Sequence, residues 1–160
     1  GSTIGNFKPE DAKDFLSQIR NMVGDDGGLL IGVDLEKDKQ ILDAAYNDAE
    51  GYTEAFNINI INNVNSHLGT TIDSSLFTHH AHYNQEKSRI EMHLVSTASQ
   101  QLVVANDQLE IVDGERIHTE NSYKFTVDSF QKLANGAGFS AAKVWTDDDE
   151  LFSVHYLKAS

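Results

Sequence analysis

A cluster of histidines, a carboxylate and a hydroxyl two residues apart, and two large side chains on apolar segments are the groups here that could do chemistry. His79, His80 and His82 crowd one short segment, and His93 follows in the next. His80 and His82 would share one face of a strand, and imidazoles are common zinc or nickel ligands. No carboxylate or cysteine stands at helpful spacing beside them, so no functional metal site is expected. Glu120 and Ser122 are two apart, which turns both to one side of an extended segment; on pattern alone they read as surface residues. Tyr46 and Met92 lie on apolar-periodic segments and on pattern alone read as core. Serine, histidine and aspartate all occur, but no G-x-S-x-G elbow does, which argues against a serine hydrolase. Asn135-Gly136-Ala137-Gly138 contains G-x-G, yet it follows a helical segment and precedes an extended one. That is the wrong context for a nucleotide loop, and it reads as a helix stop.

These residues must be positioned by elements that the pattern outlines. A helix starts at Pro9, whose missing N–H suits a first helical position, and Ala12, Phe15, Leu16, Ile19 and Val23 follow at helical spacing before Gly24. Leu29–Leu35 is a continuous apolar run ending near an acid, the pattern of a strand buried on both faces in a parallel sheet. Helix followed by buried strand is half of a βαβ unit. Ile41–Tyr46 reads as a short helix and Thr53–Leu68 as a longer one, with Phe56, Ile60, Val64 and Leu68 on one stripe. Asn57, Asn59, Asn62, Asn63 and Asn65 are poor helix formers, so packing rather than propensity must hold that helix. Phe77, His79, Ala81 and Tyr83 alternate before a turn at residues 84–88, and Ile90, Met92 and Leu94 alternate after it. Leu102–Ala105 and Leu109–Val112 suggest a second hairpin around Asn106-Asp107. Thr126 can cap a helix carrying Phe130 and Leu133, and residues 141–146 and 151–157 read as two strands joined by an acidic turn. The layout is α/β at both ends, with an α+β insertion between.

Composition bounds the function. With 39% hydrophobic residues and eight Phe in 160 residues, the chain can build a real core. A net charge of −13 repels phosphate backbones and anionic lipid, which excludes nucleic acid and membrane surfaces as partners. No stretch approaches the roughly 18 apolar residues of a membrane span. No cysteine is present, which is compatible with a cytoplasmic protein.

Three strings go beyond fold class: Gly1-Ser2-Thr3-Ile4-Gly5-Asn6-Phe7, Ala45-Tyr46-Asn47-Asp48, and residues 114–124, GERIHTENSYK. With Arg89–Leu94 and Phe152–Leu157 they resemble the histidine-specific S-adenosylmethionine-dependent methyltransferase family, which includes the enzyme making trimethylhistidine (hercynine) for ergothioneine biosynthesis. The resemblance runs from the first residue nearly to the last. It implies the C-terminal half of a Rossmann-like methyltransferase sheet with an inserted α+β substrate-binding domain. Residues 1–35 and 125–160 would belong to the methyltransferase domain and residues 36–124 to the insertion. Carried over by motif, Gly1 and Asn6 would lie where the cofactor domain meets the substrate. Asn6 and Tyr46 would hold the α-amino and carboxylate end, Glu120 and Ser122 would hydrogen-bond the imidazole, and Met92 would pack near it.

The implied cofactor is S-adenosylmethionine and the implied partner L-histidine. The glycine-rich cofactor loop is absent, so the chain reads as a truncated or proteolysed half, inactive alone, with Gly1-Ser2 either native or a tag remnant. Alternatives are methylation of another amino acid or amine, or a non-enzymatic small-ligand or metal-binding module. Self-association through an uncovered edge of the Leu29–Leu35 strand is also expected.

Overall fold

The structure, a computed structural model, describes residues 2–104 and 107–160, with side chains at all of these except residues 103 and 104. Gly1, an expected site residue, and Ala105 and Asn106, at the expected second hairpin, lie outside the described residues. The chain forms two compact units. The first comprises Gly1–Lys39, Asn84–Ile90 and Asn121–Ser160, and the second Gln40–Tyr83 and Glu91–Glu120.

The first unit holds helices α1 (Pro9–Val23) and α4 (Val127–Gly136) with strands β1 (Gly28–Asp34), β7 (Phe139–Thr146) and β8 (Phe152–Ala159). Its core joins Ile4, Leu16, Val33, Phe130, Phe139 and Leu157, all nearly inaccessible to solvent. Helix α4 begins in a capping box: Thr126 Oγ1 accepts from Ser129 N, and Ser129 Oγ accepts from Thr126 N. The expected setting of β1 needs correction. It pairs antiparallel with β8 in a sheet ordered β1-β8-β7, and it is not buried on both faces. Leu29, Ile31 and Val33 turn toward the core opposite Leu157, His155 and Ser153, whereas Leu30 on the other face is 65% exposed opposite Tyr156. The apolar run hid this alternation because both faces carry apolar side chains.

His155 is fully buried against the Phe130 ring at 4.7 Å, and Ser153 Oγ lies 3.0 Å from its Nε2. Burial lowers its pKa from the ordinary 6.5. Burial likewise lowers His80 and His93, assisted by Arg116 beside His80 and by His118 beside His93. The unfolded chain therefore binds more protons than the folded one below about pH 6.5, so stability falls as pH drops from there through the lowered folded values. Thermal unfolding followed from pH 7.5 to pH 5 should move down by about 2–4 °C for each kcal/mol lost. A transition that stays level or rises over that interval would refute the assignment of these histidines as neutral groups.

The second unit contains helix α3 (Tyr52–Leu68), strands β4 (Gln100–Val104) and β5 (Asp107–Ile111), and most of helix α2 (Lys39–Tyr46) and strands β2 (Phe77–Asn84), β3 (Arg89–Ser96) and β6 (Arg116–Tyr123), whose residues Lys39, Asn84, Arg89–Ile90 and 121–123 belong to the first unit. Strands order as β2-β3-β6, with β4 and β5 forming a separate antiparallel pair. Ile61 of α3 packs with Phe77 and Leu94. The expected orientation of α3 is reversed. Phe56 and Leu68 of the apolar stripe are 60% and 59% exposed, while the face carrying Asn57 and Ile61 is buried. Hydrogen-bonded asparagines, Asn57 buried and Asn65 half-buried, account for this. Asn57 bonds the sheet, and the Asn65 side chain pairs with both the N–H and the carbonyl of Ile72 at 2.9 Å. No helix among the described residues is long and apolar enough to cross a membrane.

Candidate functional site

The Ala45–Asp48 string ends α2 and starts α3, and its polar side chains explain the local fold. Asn47 Nδ2 donates to Asp43 O at 2.7 Å and to Ala81 O at 3.0 Å, while Asn47 Oδ1 accepts from Ala81 N, clamping the end of α2 to β2. Asp48 accepts from Tyr52 N at 2.8 Å and Thr53 N at 2.9 Å, satisfying two free donors at the first turn of α3. Hydrogen bonds from the Thr53 side chain, then from the backbone of Thr53 and Tyr52, hold the Asp48 carboxyl down to about 2. This clamp brings Tyr46 on α2 and Tyr52, Thr53 and Phe56 on α3 to one side of the second unit. With Ala45, Met92 of β3 and Glu120 of β6 they line an open hollow of about 270 Å³.

Pockets for drug-sized ligands begin near about 300 Å³, so this hollow is the size for a single amino acid. Its lining offers one carboxylate, two phenols, one hydroxyl and several apolar surfaces, a set that can accept an N–H and flank a flat ring. Met92 is 2% exposed, so it is at once core and wall.

Three of the expected residues, Tyr46, Met92 and Glu120, therefore meet in one hollow within one unit. Asn6 and Ser122 belong to the first unit. Asn6 is exposed at the end of a short 3-10 helix (Ser2–Asn6), whose Gly5 lies so close to the strand that a Cβ would sit 2.6 Å from Tyr123 O. That close approach explains the glycine in the first string. Ser122 is buried, and its Oγ accepts from Lys124 Nζ at 3.0 Å; the same ammonium pairs with Asp34 Oδ2 at 2.6 Å.

The histidines divide by face. His80, His82, His93 and His118 stack across the strands, with successive ring centroids 5.6, 5.6 and 4.8 Å apart. Stacked imidazoles hold their nitrogens side by side and do not converge them on a point. Among the described residues no group of three or more His, Cys, Asp or Glu could hold a metal ion. His79 stands apart from the stack, bonded to Tyr46 O and Asn57.

Sequence reasoning missed Asn47, Asp48, Thr53, Asn57 and His79. The available signal was the run of asparagines in a helix they disfavour, since a buried amide needs partners.

The architecture is a methyltransferase fold. Among solved structures, the CcbJ methyltransferase from Streptomyces caelestis superposes on 100% of this chain and 58% of its own with a TM-score of 0.51 at 12% identity, which shows the fold alone. The family described as histidine-specific methyltransferase, SAM-dependent, matches residues 1–159, and the chain belongs to it. The histidine N-alpha-methyltransferase of Mycolicibacterium smegmatis is 39% identical over 149 residues, covering 92% of this chain and 46% of that protein. Ergothioneine biosynthesis protein 1 of Neurospora crassa is 30% identical, covering 100% of this chain and 18% of that protein. The chain thus spans about half the length of the bacterial relative, and less of the fungal one.

Proposed function

We propose that this chain supplies the acceptor-binding part of an enzyme transferring methyl groups from S-adenosylmethionine to the α-amino group of L-histidine, ultimately giving trimethylhistidine. The observation that carries the reading is the meeting of Tyr46, Met92 and Glu120, taken from three separate strings, around one amino-acid-sized hollow. In this reading residues 36–124 are the substrate-binding insertion and residues 1–35 and 125–160 belong to the methyltransferase domain, in a cytoplasmic enzyme.

Transfer from a sulfonium is an in-line displacement, so catalysis is mainly the alignment of a neutral amine. Tyr46 holds the amino acid's α-amino and carboxylate end without adding a competing nucleophile. Glu120 accepts an imidazole N–H, with Met92 as the apolar wall. The G-x-G string does not fit the methyl donor itself. Gly138, in the only G-x-G string of the chain, packs against the Arg20 side chain and presents no open cradle (an added Cβ would sit 3.3 Å from Arg20 Cγ). This chain's part is the acceptor.

The test is mass-spectrometric detection of methylated products from the full-length protein, S-adenosylmethionine and a panel of amino acids and amines. Mono-, di- and trimethylhistidine are expected as the dominant products. Methylation of another amine in place of histidine would overturn the acceptor, and no transfer to any would overturn the activity.

The reading extends to assembly. Among the described residues β8 is the one strand paired with β1, and apart from the bridge of Phe125 to its end the other edge of β1 can template another copy. Light scattering of the 160-residue chain should show dimers or larger species, and a monomeric mass at all concentrations would reject this.

A further inference from the structure

The hollow has a buried support that none of its lining residues reveals. Asn57, on the inward face of α3, is fully buried and uses its whole amide. Its Nδ2 donates to His93 O at 3.0 Å and lies 2.9 Å from His79 Nδ1. Its Oδ1 accepts from Thr119 Oγ1 at 2.7 Å, and that hydroxyl also reaches Met92 O at 3.1 Å. A carbonyl can only accept, so the His93 contact fixes which end of the amide is nitrogen. His79 Nδ1 must then be an acceptor, which places the ring proton on Nε2, 2.7 Å from Tyr46 O. One amide thus reaches three walls of the hollow: the end of α2 at Tyr46 through His79, β3 at Met92 and His93, and β6 at Thr119, the neighbour of Glu120.

We propose that Asn57 is a positioning residue that sets the spacing of Tyr46, Met92 and Glu120, and with it the specificity of the hollow, by enforcing the Nε2–H tautomer of His79. The proposal deepens the acceptor reading above and rests on it for the identity of the substrate. The network sets the walls that bind the acceptor and touches no reacting atom, so its loss weakens ground state and transition state alike, which appears in KM more than in kcat.

Asn57→Asp is the informative change, because it keeps shape and removes the donor. A carboxylate at this position opposes His93 O and needs a proton on His79 Nδ1. To keep Nε2–H on Tyr46 O as well, His79 must become the imidazolium. The groups around His79 are Asp48 and Glu54, which line the adjoining small hollow with it, and the neighbouring His80.

The experiment uses the full-length protein with selectively ¹⁵N-labelled histidine. Long-range ¹H–¹⁵N spectra read the His79 tautomer with no substrate present, and steady-state kinetics of the parent, Asn57→Asp and Thr119→Val follow across pH. The expected result is Nε2–H in the parent and a proton on Nδ1 in Asn57→Asp. The KM for histidine should rise about tenfold or more in Asn57→Asp with kcat within about threefold. Thr119→Val, a milder break that guards against misfolding of the first variant, should show a smaller rise of the same kind. An Nδ1–H tautomer in the parent, or a KM for histidine unchanged in Asn57→Asp, would overturn the proposal. Should the tautomers come out as expected while a different amine is methylated, with its KM shifted in Asn57→Asp, the positioning role stands and the histidine reading falls.

Discussion

Asp34→Ala should destabilise the protein by about 3–5 kcal/mol in denaturant unfolding, the largest single-residue effect expected here. Lys124 is fully buried, and its ammonium lies 2.6 Å from Asp34 Oδ2. Lys37 Nζ lies 2.6 Å from the other oxygen, so one carboxylate serves two cations. Alanine removes the charge opposite a cation that cannot reach bulk water from its site, and in such cases the lost Coulomb attraction is not replaced by hydration. The converse change is expected to be milder. Lys124→Met fills nearly the same volume without a charge, and Asp34, one-fifth exposed, keeps Lys37. The pair of variants is the test. Equal losses, or a loss under about 1 kcal/mol for Asp34→Ala, would mean that this ion pair behaves like an exposed one.

Glu120→Ala in the full-length enzyme is expected to lower kcat/KM for histidine about tenfold to hundredfold, equivalent to about 1.5–3 kcal/mol for a charge-assisted hydrogen bond. Glu120 is the carboxylate of the hollow that also holds Met92 and Tyr46, and a carboxylate distinguishes a ring bearing an N–H from an apolar ring of similar size. Glu120→Gln keeps an acceptor without the charge and should fall between parent and alanine. Discrimination against phenylalanine should shrink in step, because its ring offers nothing to the carboxylate in either protein. If histidine turnover by Glu120→Ala matches the parent while the melting temperature is unchanged, the ring lies elsewhere and the hollow is assigned wrongly.

Local chemistry made several features legible in the residues. Proline at the start of α1 and Thr126 before α4 marked helix ends because each meets a local backbone requirement. Period-two alternation marked β2 and β3 because one face of each is buried. Tyr46, Met92 and Glu120 were reachable because the strings containing them resemble one family; alternation and burial alone made the first two core and the third surface. The orientation of α3 was not legible. Its most apolar stripe proved the exposed one, since Asn57 and Asn65 find bonding partners only once β2, β3 and residues 70–72 are folded around them.

By itself, then, the sequence determined the order of the helices and of every strand but β6, the helix ends, the absence of disulfides and the family, all of which depend on neighbours along the chain or on whole strings. Tertiary structure alone decided the antiparallel setting of β1, the stacking of His80, His82, His93 and His118, the Lys124–Asp34 pair and the amide at the back of the hollow. The reason is reach: a buried polar group is stable only with its partner in place, and these partners lie many residues away, so no local pattern could specify them.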